Sequence, residues 1–575
     1  MSAEKKATGV NRSLSNVIFP LLLFLFALIG ADQGTDLSDT MYAAANYAFF
    51  KTDTGSWHFA TFLANLTGHF FYVIGGGRLI WLKLLCSLIP AFTAVLVYFL
   101  LKDRIHQYFL FPALLAALGL CWSPSVILYQ HLSYLALTAG SLLLYKAMTK
   151  RDRRIMAFAG LVIGLGLFVR VSNLTHCALI FYVIYEDIRS KETKKLPADI
   201  LCCIGGYAAG AAAGLLFMLI SGGTDGFLRM VSWIRDLLGG SSGEGGYTLW
   251  DMLSQTADNY FGNLFFVLLA VSGIIAGSLM FRLLKDRLKI PARILYCTGI
   301  ILLFIYYYRN GVFDTKYYNV GSIFRISVVM LIFLLALDIW VLVDSKFRPE
   351  EKGLALLALI SQLMIPLGSN NHLYSCINDM YFLMPVGIHL FAGLIHVRGN
   401  KKSWSFPLVS MGLALFLLLL IQSSMFHFSF AFKDGVDGTK RNVRIGDEGA
   451  QKLKGMKTSG ENAAAIKGIC DAAQAAGGEW LLTYGDIPGF NYILDLKPPI
   501  STAWPDLESY REDRYGEELS MVSGRGICIM TKEAADLPDH EADKKLLYLR
   551  EFLYNNDYER SYDGDVFVLF ERRAL

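Results

Sequence analysis

The sequence predicts a polytopic α-helical membrane protein that ends in an extracytoplasmic α/β domain. Three observations carry this reading. Of 575 residues, 54% are hydrophobic, and the apolar runs crowd into the first three quarters of the chain, many of them near the roughly 20 residues that cross a bilayer. Basic residues gather in short clusters between alternate runs, the pattern of a positive-inside topology. From about residue 426 onward, Asp, Glu, Lys and Arg become frequent and the apolar runs shorten to strand length.

The apolar segments fall near 14–31, 79–101, 107–122, 133–149, 155–169, 171–186, 198–220, 261–281, 293–308, 323–343, 352–368, 381–397 and 404–425, about thirteen spans in all. Segments 155–169 and 171–186 are short, which suits a tight helical hairpin around Arg170 or a partly re-entrant pair. The run Val17–Ala31 lacks a small-residue cleavage site and reads as a retained first span. Lys5, Lys6 and Arg12 precede it. Lys102 and Arg104 follow the second span, Lys150, Arg151, Arg153 and Arg154 the fourth, and Arg189, Lys191, Lys194 and Lys195 the sixth. Arg282, Lys285, Arg287 and Lys289 follow the eighth, Lys346 and Arg348 the tenth, and Arg398, Lys401 and Lys402 the twelfth. All these clusters lie on one side, which the positive-inside rule makes cytoplasmic. The N-terminus is then cytoplasmic, and an odd number of spans puts the tail outside.

The domain division is therefore 1–425, transmembrane, and 426–575, extracytoplasmic. Two outer loops are long, 32–78 and 221–260, while 309–322 and 369–380 are short and polar. In the first, Trp57, Phe62, Leu66 and Phe70 recur at helical spacing, predicting a helix lying in the outer interface. The second contains GGSSGEGG (Gly239–Gly246), which suits a hinge or lid and equally an ordinary linker. In the tail, EWLLTYG, GICIMTK and VFVLFER read as buried strands, and Glu461–Gly477 and His540–Asn556 as helices. The alternation predicts a largely parallel sheet.

Several function classes drop out. A net charge of +4 is too small for a nucleic-acid surface, and its basic residues are accounted for by topology. The tail has neither a Gly-rich phosphate loop nor zinc spacing. The nine cysteines form no metal-ligand pattern or disulfide framework, and Cys470 and Cys528 read as buried thiols that would pair only if the fold brought them together.

The first outer loop opens with GADQGTDLSDTMYAAANYAFF (Gly30–Phe50). If a helix begins near Thr35, Asp36, Asp39 and Asn46 share one face beside Tyr42. A partly desolvated carboxylate at the membrane boundary has a raised pKa and can act as a general base toward an incoming hydroxyl. The same residues also suit a plainer role, with Asp36 as a helix N-cap and Asp39 favoured by the helix dipole. On the same side stand Arg170 in FVRVSN, Arg309 in YYYRNG, Lys316 and Arg325 around FDTKYYNVGSIFR, and His372 in LGSNNHLYS. Each alone suits interfacial snorkelling or a local ion pair. Together with the acids, they predict a site for an anionic lipid headgroup, a phosphate or pyrophosphate.

This layout resembles the GT-C membrane glycosyltransferases, which use polyprenyl-phosphate sugars, and within them bacterial members related to protein O-mannosyltransferases, to 4-amino-arabinose transferases acting on lipid A, and to Rgt-type core glycosyltransferases. The resemblance rests on GTDLSDTMYAAANY after the first span, HLSYLALTAGSLLLY (His131–Tyr145), GLVIGLGLFVRVSNL (Gly160–Leu174), LGSNNHLYSCINDMYFLMP (Leu367–Pro385) and TYGDIPGFNYILDLKPP (Thr483–Pro499), and it covers most of the chain. It implies an inverting transfer from a lipid-linked donor to a cell-envelope glycan, lipid or protein outside the cytoplasmic membrane. An acid of the first outer loop would be the base, and basic residues would steady the lipid phosphate without a metal or other cofactor. Carried onto this chain, Asp39 in DTMY is the first choice for the base and Asp36 the second. Arg170, Arg309, Lys316, Arg325 and His372 are the phosphate-binding candidates, and Tyr42 and Asn46 the acceptor-side support. The chain departs from the Asp-Glu pair common in the family at this point, so the sugar does not carry over. The rival classes are a transporter or flippase of lipid-linked glycans, which predicts internal repeats and mid-span charges, and an envelope glycan polymerase or ligase, which shares topology and substrate class.

Overall fold

The computed structural model describes residues 14–50, 56–221, 224–239, 249–368, 371–398, 402–446 and 450–573. All the apolar segments expected from the sequence fall on helices. Seven described helices are long and apolar enough to cross a membrane: Leu79–Leu101, Leu196–Ile220, Leu249–Leu283, Lys289–Arg309, Gly321–Val343, Met380–Arg398 and Lys402–Ser429. Shorter apolar helices stand beside them, among them Leu14–Leu28 and Gln107–Leu120. Large apolar side chains face outward along the bundle, with Leu283 and Val343 each 81% exposed and Ile220 75% exposed. An apolar exterior of this extent is covered by lipid rather than water. The segment around Arg170 resolves into a helix Arg153–Val169, an extended Arg170, a 3₁₀ stretch Val171–Leu179 and a helix Ile180–Arg189.

In a bilayer, burial of apolar surface does not drive helix against helix, so close packing has to. The helices Arg153–Val169 and Leu196–Ile220 show how. Gly160 and Gly164 on one face Gly206 and Gly210 on the other, each pair at small-xxx-small spacing. A Cβ at any of the four would collide with a carbonyl of the opposite helix: Cys203 for Gly160, Tyr207 for Gly164, Ala157 for Gly206 and Leu161 for Gly210. The backbones are therefore as close as glycine allows.

The loop after the first apolar helix does not lie apart from the tail. Its helix starts at Asp39 rather than near Thr35 and runs to Ala48. After it come a 3₁₀ turn Ser56–Thr61 and the helix Phe62–Ile74, with Phe62 buried and Phe70 60% exposed, so the helical spacing of Phe62, Leu66 and Phe70 does fall on a helix (the Trp57 side chain lies outside the described residues). Met41, Ala44 and Tyr47 belong to the same apolar core as Ile469, Leu481, Phe490, Ile527 and Leu569 of the C-terminal domain. The glycine-rich segment 240–246 also lies outside the described residues.

The C-terminal domain is α/β, with helices Gly460–Ala476 and Lys544–Asn555 close to expectation. A short ribbon pairs β1 (Val443–Arg444) with β2 (Lys457–Thr458). The main sheet contains β3 (Trp480–Tyr484), β4 (Gly526–Thr531), β5 (Tyr558–Asp563) and β6 (Phe567–Arg572), in the order β3-β4-β6-β5. It is mixed, which corrects the expectation of a largely parallel sheet: only β3 and β4 run parallel, whereas β4–β6 and β5–β6 are antiparallel. The reason is β5, YERSYD, whose alternating exposure hides it from an apolar-run search. The short connection through Gly564 to β6 is a hairpin, which forces antiparallel pairing. Cys470 and Cys528 are both buried and unpaired.

Replacing Gly164 with Val should push the two close helices apart and cost about 1–3 kcal/mol, as for other overpacked cores. Thermal unfolding of the purified protein in lipid nanodiscs should show a lowered Tm. An unchanged Tm would mean that the close approach does not stabilise the bundle.

Candidate active site

The two first-loop acids, three residues apart, face different surroundings. Asp36 precedes the helix and is 5% exposed. Its Oδ1 accepts from the Ser38 backbone N–H at 2.9 Å and the Ser38 hydroxyl at 2.6 Å, and its Oδ2 from the Thr40 N–H at 2.8 Å. The carboxylate thus serves the helix start in the manner of a cap and is held in one orientation, with acceptor capacity left on Oδ2. Since the helix begins at Asp39, the shared helical face expected from the spacing does not form.

Asp36 and Thr40 line a cleft at the end of the bundle that carries the C-terminal domain, enclosing about 850 Å³ with its open mouth included. Its other walls include Lys83 and Ser87 of the helix Leu79–Leu101, Ser123, Ser125 and His131 around the start of the helix Leu128–Lys150, Tyr381, and the aromatic end of the last span, Phe426, His427, Phe430 and Phe432. Lys83 is the cation of this cleft. Its Nζ donates to the Gln33 carbonyl at 2.6 Å and lies within electrostatic range of Asp36, Asp434 and Asp32, with Arg441 the nearby like charge. Lys83 escaped the sequence reading because a single lysine in LIWLKLLCS does not break an apolar span. The available signal was that an ionisable side chain inside such a span is costly to keep and marks a site.

Asp39 turns toward the C-terminal domain. Its Oδ2 pairs with Lys433 Nζ at 3.2 Å, and the same ammonium bonds Asp486 at 3.0 Å and sits 5.3 Å from the centre of the Trp504 ring. Burial raises the Asp39 carboxyl above 3.8, and Asp36 and Asp486 act in the same sense against Lys433. Lys433 is itself raised: burial would lower it, but Asp39 and Asp486 outweigh burial. Tyr42 meets the Thr502 hydroxyl at 3.4 Å and the edge of Trp504 at 5.3 Å between ring centres. Its phenol is raised by burial, with Asn46 within hydrogen-bond reach. Tyr42 and Asn46 are therefore grouped with Asp39 against the C-terminal domain.

The remaining basic candidates stand elsewhere. Arg170 is partly buried, its guanidinium 5.4 Å from the centre of the Tyr129 ring and Nη2 donating to the Gly368 carbonyl at 3.4 Å. Arg309, Lys316 and Arg325 are exposed, and Arg325 donates to the Asn310 carbonyl at 3.3 Å. His372 is partly buried, with a positive φ of 44° and an unpartnered Nδ1. None of the five belongs to the walls of the Asp36–Lys83 cleft. Sequence spacing placed them near the acids, but the packing of the helices keeps them out of the walls of this cleft. Among the described residues, no cluster of three or more His, Cys, Asp or Glu side chains has metal-binding geometry.

The loop is fastened to the C-terminal domain through its backbone. Lys457 N–H donates to the Asp32 carbonyl at 2.7 Å and Gly34 N–H to the Lys457 carbonyl at 2.9 Å, so the loop extends the β1–β2 ribbon at its edge. Thr35 N–H donates to Asp434 Oδ1 at 3.2 Å, and Gly489 N–H to the Leu37 carbonyl at 2.7 Å. Asp434 is buried and faces Arg441 at 3.7 Å. Burial raises its carboxyl, in opposition to the Thr35 N–H and Arg441.

No family model and no curated protein matches the chain. Among solved structures, it is similar to ArnT from Cupriavidus metallidurans bound to undecaprenyl phosphate, with 14% identity, 98% of each chain covered and a TM-score of 0.42. It is also similar to the arabinosyltransferase EmbB from Mycobacterium smegmatis, with 13% identity and a TM-score of 0.34. That match covers 72% of this chain and 41% of EmbB.

The Asp32–Lys457 ion pair, at 2.7 Å, gives the fastening a pH dependence. Burial alone would raise Asp32, but Lys457 and Gln33 outweigh it and hold the native pKa below 3.8. A depressed carboxylate contributes stability that is complete above its unfolded pKa and is lost as pH falls through the native one. Hydrogen exchange at the Gly34 and Lys457 amides should therefore stay slow at pH 5–7 and accelerate below about pH 3.8. Lys457→Met should speed exchange at neutral pH and remove the acid step. An acid step of unchanged size in that variant would refute the assignment.

Proposed function

We propose that this protein is an integral membrane glycosyltransferase that moves a sugar from a polyprenyl-phosphate donor to an acceptor hydroxyl of a cell-envelope glycan, lipid or protein. The observation that carries the reading is the sharing of one cleft by an oriented carboxylate, Asp36, and a cation, Lys83, at the end of an apolar bundle. The motif resemblance described above supports the same class.

In this reading the acceptor oxygen attacks the anomeric carbon on the face opposite the phosphate. The new C–O bond forms as the bond to the phosphate oxygen breaks, and the configuration inverts. Asp36 takes the hydroxyl proton, using the acceptor capacity left on Oδ2. The phosphodiester leaves as a phosphomonoester with one more negative charge, and Lys83 stabilises that charge in a water-poor cleft, where a fixed cation acts strongly. Lys83 takes the phosphate role assigned from sequence to Arg170, Arg309, Lys316, Arg325 and His372, and the mechanism calls for no resident metal. Asp39, already paired with Lys433, positions the loop against the C-terminal domain together with Tyr42 and Asn46, beside Trp504. The setting proposed is the outer face of the cytoplasmic membrane, with the N-terminus inside.

The test is transfer from mass-tagged polyprenyl-phosphate sugars in membranes containing the protein. Asp36→Asn should reduce transfer at least about 100-fold, the scale of a lost general base, and Lys83→Met by a similar factor, while Asp39→Asn costs less than about tenfold. Near-normal transfer by the Asp36→Asn protein, with insertion intact, would overturn the assignment of the base.

A further inference from the structure

The end of the bundle away from the active-site cleft carries a second cleft, open and basic, that the proposed reaction does not use. His131 of the first cleft and Lys150 of the second lie on one helix, Leu128–Lys150. At the α-helical rise of about 1.5 Å per residue they stand about 28 Å apart, close to the hydrocarbon thickness of a bilayer. The second cleft therefore sits at headgroup depth in the opposite leaflet. It encloses about 1040 Å³ with its open mouth included, and its walls carry five cations, Lys150, Arg151, Arg153, Arg154 and Lys195, against two carboxylates, Asp152 and Asp199.

Three of the cations are committed. Arg151 pairs with the buried Asp187, Arg153 with Asp199 at 2.6 Å, and Lys195 with Glu192 at 3.1 Å. Asp152 accepts from the Arg154 N–H at 2.9 Å and caps the helix Arg153–Val169. The side chains of Lys150 and Arg154 are exposed and make no ion pair or hydrogen bond among the described residues. They flank a sharp reversal, because Arg151 ends its helix in the left-handed region at φ 53°, where glycine is the usual residue. The apolar surface begins directly beyond them. Phe158, one turn from Arg154 on the same helix face, is exposed. Gly160 of this helix meets Cys203 of the helix Leu196–Ile220, which sets Phe158 level with the exposed Leu201, and Ile204 is exposed one turn further on.

We propose that this cleft binds the phosphate of an anionic phospholipid from the leaflet opposite the active site, with Lys150 and Arg154 on the phosphate and the acyl chains along Phe158, Leu201 and Ile204. The inference is independent of the glycosyltransferase reading and needs only that the bundle span a bilayer. A positive-inside topology accounts for basic residues in this turn. It requires neither a concave arrangement nor two unpaired cations beside an exposed apolar face. An anionic phospholipid complements both features at once, with fixed negative charge at the level of Lys150 and Arg154 and hydrocarbon directly beyond it. A soluble phosphate satisfies only the charge, and a zwitterionic lipid brings a cation of its own into a cleft already rich in them.

The experiment is a lipid titration of the full-length protein in detergent micelles, read by native mass spectrometry, with phosphatidylglycerol and phosphatidylcholine as probes. The wild type should bind phosphatidylglycerol at least about tenfold more tightly, and millimolar inorganic pyrophosphate should not displace it. Lys150→Gln combined with Arg154→Gln should cut that preference at least about fivefold, the scale of one basic side chain at a membrane surface, and leave affinity for phosphatidylcholine unchanged. Lys285→Gln combined with Arg287→Gln, which removes two exposed cations from another basic cluster, should keep the preference. In the wild type, phosphatidylglycerol with a photoactivatable acyl chain should label the peptides of Phe158 or Leu201 more than the choline lipid does, a readout that needs no variant. The site is overturned if the wild type binds both lipids equally, if the Lys150 and Arg154 variant keeps the preference, or if the two double variants lose it alike, which would mean diffuse surface charge. Displacement by pyrophosphate would overturn the lipid as occupant and leave a soluble polyphosphate in its place, and equal labelling by the two lipids would overturn the path of the chains.

Discussion

The arrangement depends on the attachment of one short loop to a domain far along the chain, through Thr35 N–H and Asp434 at 3.2 Å, 399 positions apart in sequence. The segment from Asp32 to Leu37 has little secondary structure of its own. Alone, it would sample many conformations, and Asp36 with it. Backbone bonds to Lys457 and Gly489 and the buried Asp434 remove that freedom. Glycine is required at two of the contacts. Gly34 has a φ of 77°, and a Cβ there would come within 2.6 Å of the Ala431 Cβ; a Cβ on Gly489 would come within 2.7 Å of the Leu37 carbonyl oxygen. A loop so constrained can present a carboxylate in one orientation, which a positioned base requires.

The membrane bundle makes a complementary contribution. Its helices pack closely where glycines face each other, and the cleft opens at the end that meets the C-terminal domain. Lys83 sits one turn into its helix, deep enough to be partly desolvated and near enough to the end to reach the Gln33 carbonyl. A lysine in such a position is tolerated because several carboxylates surround it. Removing any one of them would change the field at the ammonium, so the loop, the C-terminal domain and the phosphate-binding cation are electrostatically one unit.

Much of this fold is legible in the sequence because its cause is local. Bilayer thickness imposes apolar runs of a set length, and the expected runs fall on helices, with 171–186 divided between a 3₁₀ stretch and a short α-helix. Buried strands such as WLLTY and GICIMT declare themselves by unbroken apolarity. β5 does not, because an edge strand exposed on alternate residues looks like a loop. The site is less legible for a different reason. Sequence gives the depth of a residue along the membrane normal but not its position around the bundle, so Arg309, Lys316 and Arg325 appeared to converge on the acids and instead lie exposed, Arg309 and Arg325 on two other helices and Lys316 in the loop between them. Lys83, Lys433, Tyr381 and His131 acquire meaning only from neighbours far away in sequence. The acids of the first loop were visible, since Asp32, Asp36 and Asp39 follow closely on an apolar run, but which acid faces the cleft was not.

That choice follows from where the helix begins. Had it started near Thr35, Asp36 and Asp39 would have shared a face and competed for the same ligand. Instead, the Asp36 carboxylate captures the Ser38 and Thr40 N–H groups, stops the helix from extending backward, and remains outside it against the cleft. Asp39, the first helical residue, then projects to the other side, where Lys433 neutralises it. Capping and catalysis are therefore not competing explanations for Asp36. The hydrogen bonds that end the helix are also those that aim the carboxylate. A substitution at Ser38 that weakened them would release the orientation of the acid while leaving its charge in place.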